Sequence, residues 1–112
     1  MSEVADQVFS FCRHGRTAEV AAAVLGGFDA DARDAHGNTL LLIAAQNGLR
    51  KMAKKLMRMG ADVNCQNSRG QTVAHYCHAF GHTTLLEYIL SKGADTTLRN
   101  SDGMTYDEGI RR

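Results

Sequence analysis

Apolar residues along this chain fall in short runs with helical spacing, separated by polar stretches that carry glycine. Between Thr83 and Ser91, Leu85, Leu86, Ile89 and Leu90 recur at i, i+1, i+4 and i+5, which is one face of a helix. The run from Leu49 to Met59 divides more sharply. Leu49, Met52, Ala53, Leu56 and Met57 fall on one side, and Arg50, Lys51, Lys54, Lys55 and Arg58 on the other. Leu40 to Ala45 is apolar around most of its circumference, so it is expected between neighbours on both sides. Near the amino terminus, Val4 to His14 reads as a helix with Val4, Val8, Phe9 and Cys12 on one side and Ser2 placed to cap it. Thr17 to Leu25 is an alanine-rich helix whose larger groups are Val20, Val24 and Leu25, and its small side chains allow close helix approach.

The punctuation between these runs is periodic. At an offset of thirty-three positions Gly37, Gly70 and Gly103 come into register, each followed two residues later by Thr39, Thr72 and Thr105. Gly15, Gly48 and Gly81 match in the same way, as do Gly27, Gly60 and Gly93, and Ala61-Asp62 recurs as Ala94-Asp95. A fixed period of this length marks a stacked-repeat architecture. Thr72 stands where an N-cap is needed, and His75, three residues on, stands where a capping box puts its reciprocal partner. Gly81 can take the left-handed conformation that ends the short first helix, and Gly93 stops the second. Ala94 to Gly103 is polar and irregular, so it should run on as an extended or hairpin-like loop. Each unit is expected to be a helix pair with a protruding loop.

The motifs Gly37-x-Thr39, Ala44-Ala45-x-x-Gly48 and Gly60-Ala61-Asp62-Val63-Asn64, then Gly70-x-Thr72-x-x-His75, Gly81-His82 and Gly93-Ala94-Asp95, resemble the ankyrin repeat. The resemblance implies an all-α solenoid of stacked helix-turn-helix units joined by hairpin-like loops. Its units are a capping unit over residues 1–33, repeats over 34–66 and 67–99, and a partial capping unit over 100–112. Two features depart from the family pattern. Leu40, Val73 and Tyr106 replace its proline, which predicts slightly weaker helix starts, and Leu42 replaces its histidine. The amino-terminal unit lacks the Gly-x-Thr signature, so its outer face is expected to be the more polar one. In the last unit Thr105-Tyr106-Asp107-Glu108 has the form of a capping box and predicts one more short helix. Nothing after Ile110 supplies its partner, so the unit is either a minimal cap or the edge of something longer.

Composition narrows the function classes. The chain has 112 residues, 44% of them apolar, and a net charge of +1, which argues against a generic polyanion binder. It holds no apolar run of about eighteen residues and no charged-then-apolar leader. Its three cysteines, Cys12, Cys65 and Cys77, follow no metal-ligand spacing and no evident disulfide framework, so a reducing compartment, cytosol or nucleus, is expected. His75, Tyr76, Cys77, His78 and His82 form the one cluster with candidate chemistry. His78 and His82 share a helical face only if the helix continues past Gly81, and a cysteine in an apolar helix interface has its thiolate disfavoured. A metal site and cysteine-histidine catalysis are both disfavoured on those grounds, and Tyr76 reads as a packing residue whose hydroxyl finds a partner at the edge. No glycine-rich phosphate loop, paired acid-base carboxylates or triad appears, so neither enzyme activity nor a cofactor is expected.

The resemblance implies a non-catalytic protein-interaction scaffold or adaptor, gripping its partner with loop tips and the exposed side of the first helices. The alternative is a regulatory or structural segment of a larger protein whose activity lies outside this chain. The matching tip positions are Ala35, His36 and Asn38, then Ser68, Arg69 and Gln71, then Ser101, Asp102 and Met104. Helix positions are Gln46 and Asn47, then Ala79 and Phe80. Phe80 puts an aromatic where the previous unit has Asn47, and with Arg69 it has the residue types enriched at interface hot spots. The competing reading of Phe80 is a ring folded down over Tyr76 or the chain terminus. The basic residues Arg50, Lys51, Lys54, Lys55 and Arg58 ordinarily mean a solvated outer face. The sharper reading is a docking patch for an acidic partner or a phosphorylated lipid headgroup, nucleic acid being disfavoured for want of an aromatic or arginine-rich reading element.

Overall fold

The computed structural model describes residues 2–109. Six helices follow in order: α1 (Glu3–Arg13), α2 (Thr17–Leu25), α3 (Leu40–Gln46), α4 (Arg50–Arg58), α5 (Val73–Ala79) and α6 (Thr83–Ser91). They pair as α1 with α2, α3 with α4 and α5 with α6, and the pairs stack because α3 packs on both α1 and α5 while α2 packs on α4. The result is an all-α solenoid of two helical layers, with no strand among the described residues.

Helix boundaries follow from local chemistry. Ser2 caps α1 by accepting from the Ala5 amide at 3.1 Å. Thr39 accepts from the Leu42 amide at 3.2 Å and Thr72 from the His75 amide at 3.3 Å, opening α3 and α5 alike. At the other end, the Gly48 amide bonds the Ala45 carbonyl and the Leu49 amide the Ala44 carbonyl, closing α3. The same two-bond closure recurs at the end of every other helix, after Arg13, Leu25, Arg58, Ala79 and Ser91.

The core sits where the first helices stack. Leu40 to Ala45 are all buried, as expected for a helix flanked on both sides by others. Val8, Phe9 and Cys12 meet it from α1, and Val73, Ala74 and Cys77 from α5. Val4 departs from the expected stripe and is 63% exposed. The eleven-residue α1 is longer than the seven-residue α3 it packs on, so its first turn has nothing to cover it. Leu25 is 79% exposed, so the first unit is less polar on its surface than its capping role suggested.

Loops bind successive units through the backbone. The Ser68 amide donates to the His36 carbonyl at 3.0 Å, and one unit on, the Ser101 amide donates to the Arg69 carbonyl at 2.9 Å. Asp34, Asn67 and Asn100 each fold their own tip: one side-chain oxygen accepts from the amides two and four residues ahead. Arg33 and Gln66 lie across the seams. Arg33 Nη1 donates to the carbonyls of Gly37 and Gln66, and Gln66 Nε2 to those of Gly70 and Arg99.

The expected helix at Thr105 does not form within the described residues. Tyr106 to Glu108 make a turn, and Gly109 follows at φ +99°. Half of the capping box survives, because Glu108 accepts the Thr105 amide at 2.8 Å. The hydroxyl that should cap a helix instead donates towards Asp107 and Glu108, and a left-handed glycine four residues on leaves no room for a second turn. Ile110 to Arg112 lie outside the described residues.

Candidate functional site

Where α3 and α5 meet the loop tips, His36, Asn38, Gln46, Ser68 and Arg69 line a cavity of about 300 Å³ together with Asn67 and Tyr76. Gln46 lies at the end of α3 and Tyr76 inside α5, so each side chain reaches the groove from a rigid element. Hydrogen bonds fix the floor. Asn38 Oδ1 accepts from Gln46 Nε2 at 3.0 Å and from Asn67 Nδ2 at 2.9 Å, and Asn67 Nδ2 also donates to Tyr76 Oη at 2.8 Å. One carbonyl oxygen and one amide therefore join two units beneath the groove, while His36, Ser68 and Arg69 stand exposed on its rim.

Phe80 caps α5 and stacks on Tyr76, with ring centroids 6.0 Å apart and planes 13° from parallel. It is nevertheless 50% exposed. Tyr76 thus ties the groove carrying Arg69 to the Phe80 ring, which folds over Tyr76 and remains half-exposed.

The remaining tip and helix positions spread along the stack. Ala35 and Asn47 are exposed, Ala79 is half-buried, and Ser101, Asp102 and the half-buried Met104 form the third tip, outside this groove. Gln71 differs from its tip assignment: it is 5% exposed, and its Oε1 accepts from Asn100 Nδ2 at 3.2 Å between units. Asn67 was not among the expected contact residues, although its place in the series Asp34, Asn67, Asn100 shares the period of the glycines.

The histidine and cysteine cluster serves other ends. His75 is buried and its Nδ1 accepts the Thr72 amide at 3.2 Å, which leaves Nε2 to donate to the Met104 carbonyl at 2.9 Å. It is a capping box and a tie to the next loop at once. α5 ends at Ala79, so His78 and His82 share no helix; His78 meets the edge of Tyr106 and His82 lies over Gly48. Burial pushes the Cys12 thiol up to about 12, against a small opposing effect of Arg13, and the Cys77 thiol likewise to about 12. Cys65 is raised in the same direction by burial. Thiols held protonated in this way are poor nucleophiles near neutral pH.

A family model described as ankyrin repeats in three copies matches residues 8–105. The chain belongs to the ankyrin-repeat family. A human protein, ankyrin repeat domain-containing protein 29, is 46% identical over 41 residues, which make up 37% of this chain and 14% of that protein. The chain therefore aligns with a small part of that relative's length. Ankyrin repeats are in general protein-interaction modules, and no helix among the described residues is long and apolar enough to cross a membrane.

Proposed function

We propose that this ankyrin-repeat chain is a scaffold or adaptor that captures a protein partner in the groove between His36 and Phe80. The observation that carries the reading is the half-exposed Phe80 ring, stacked on Tyr76 at the end of a groove whose polar floor is already hydrogen-bonded within the protein. A ring held on one face loses little conformational freedom when its other face is covered, and a satisfied floor needs no reorganisation. Exposed Arg69 and His36 on the rim supply donors that select the partner.

The chemistry of the buried thiols and of His75 favours a non-catalytic role: each of these groups is engaged inside the stack. The test is affinity capture with the parent chain and with Phe80→Ala, followed by titration of a captured protein against both. The variant should melt within a few degrees of the parent and bind at least about tenfold more weakly, as a hot-spot aromatic would. Equal binding together with a large fall in melting temperature would assign Phe80 to the core instead.

A further inference from the structure

We propose that the outer face of α4 is a second docking site, independent of the groove, for an extended acidic polypeptide segment with an apolar residue at one end. Arg50, Lys51, Lys54, Lys55 and Arg58 occupy one side of this nine-residue helix with no carboxylate among them. Among the described residues the ion pairs join Arg16 to Glu19 and Arg99 to Glu108, and neither involves α4. The positive charge is left unmatched over a length of about 12 Å, the rise of eight helical residues.

A cleft lies at each end of that strip. At the amino-terminal end Arg50 and Lys51 edge a cavity of about 510 Å³ whose far wall carries Thr83 and Thr84 of α6. At the other end a cavity of about 340 Å³ has Arg58 and Lys92 on its polar side and Met57, Val63 and Tyr88 on its apolar side. An extended chain rises roughly 3.3 Å per residue, so about four residues cover the strip and one more reaches the apolar cleft. Carboxylates along the segment face the lysines and arginines, and the terminal side chain enters against Met57 and Val63.

The neighbouring helices decide between this partner and other polyanions. α2 and α6 flank the strip, and each carries one carboxylate, Glu19 or Glu87, and no cation. Apart from Lys92, the cap of α6 at the carboxy-terminal cleft, the positive surface is one helix wide, which suits a single strand of polypeptide and not a plane of lipid headgroups. Lys54 Nζ sits 4.9 Å and Lys92 Nζ 5.6 Å from the centroid of Tyr88, so this aromatic is engaged by lysines instead of being free to stack a base.

The experiment uses the 112-residue chain and a fluorescein-labelled peptide, Glu-Asp-Glu-Asp-Glu-Leu, read by fluorescence anisotropy. Saturable binding is expected at about 50 mM salt and should be lost by about 500 mM. Lys51→Glu with Lys55→Glu should weaken it roughly tenfold, and the neutral pair Lys51→Gln with Lys55→Gln should weaken it by less. Serine in place of the terminal leucine should weaken binding to the parent chain, and Phe80→Ala should leave it unchanged, which separates this site from the groove. Absence of binding, or unaltered binding by both lysine pairs, overturns the proposal. So does tighter binding of phosphatidylserine vesicles or of a uridylate oligomer at equal anionic charge.

Discussion

Replacing three glycines by alanine, one at a time, measures how closely the units approach each other. All three residues have positive φ: Gly103 at +75°, Gly48 at +66° and Gly70 at +73°. Alanine in the left-handed region costs about 1–2 kcal/mol wherever it is placed. At Gly103 that is the whole effect, because an added Cβ meets nothing within 4 Å. At Gly48 the Cβ falls 2.8 Å from His82 Cε1, and a ring can swing aside, so roughly 0.5–1.5 kcal/mol is added for a displaced rotamer. At Gly70 the Cβ falls 2.9 Å from the Asn100 Cα and 3.0 Å from the Ser101 amide nitrogen. Backbone of the next loop must move, and that movement strains the bond from Ser101 to the Arg69 carbonyl, adding about 1–3 kcal/mol. Urea unfolding should therefore rank the variants Gly103→Ala, Gly48→Ala, Gly70→Ala in increasing loss, with the last losing about 2–5 kcal/mol in total. Adding His82→Ala should return Gly48→Ala towards the Gly103→Ala value and do nothing for Gly70→Ala. If Gly70→Ala is no worse than Gly103→Ala, the loops do not touch through their backbones and the stacking of these units is wrong.

Other perturbations probe the core and its chemistry. Leu42→Asp places an unpaired charge at a fully buried position between α1 and α5, a penalty of several kcal/mol against a total stability of about 5–15 kcal/mol; the variant should show no cooperative melting by circular dichroism, and a parent-like transition would mean α3 is not the middle layer. Cys12 and Cys77 stay protonated in the fold to about 12 from an ordinary value of 9.0. Above pH 9 the unfolded thiols release protons first, so the folded state binds more of them and stability falls as pH rises, by about 1 kcal/mol per thiol between about pH 9 and about pH 10. Denaturation midpoints followed from about pH 9 to about pH 10 should then fall more steeply for the parent than for Cys12→Ala with Cys77→Ala, and parallel slopes would remove burial as the cause. His75→Ala strips the Thr72 amide and the Met104 carbonyl of their partner, each worth about 1–3 kcal/mol when left buried and unpaired; hydrogen exchange should speed up at Thr72 and in the Asn100 loop together, and exchange confined to Thr72 would show that the two units are not coupled through this ring.

What could be read from the sequence was local, and what could not was cooperative between units. The helices, their glycine closures and the caps at Thr39 and Thr72 are decided by residues a few positions apart, so the periodic Gly-x-Thr pattern was enough to place them. His75 shows the limit: its capping role lies three residues away and was legible, whereas its bond to Met104 spans 29 positions and was not. The same holds on the groove. Arg69 and Phe80 were singled out by residue type, but the group that joins them is Tyr76, held by an asparagine from the loop before its own helix, and only the folded register brings that asparagine against Asn38 of the previous unit. Gln71 misled for a related reason. A polar residue beside a turn glycine looks like a tip, yet the loop ahead of α5 turns it inward to bond Asn100, so polarity there serves the seam and not the surface. The failed helix at Thr105 carries the point furthest. Thr39 and Thr72 cap helices that lie against neighbours already in place, while the turn after Thr105 must form without a completed unit beyond it among the described residues, and a capping motif supplies too little free energy to propagate a helix that gains little from packing. In a repeat stack the helix signal is written in each unit, but whether it is obeyed is decided by the unit next door.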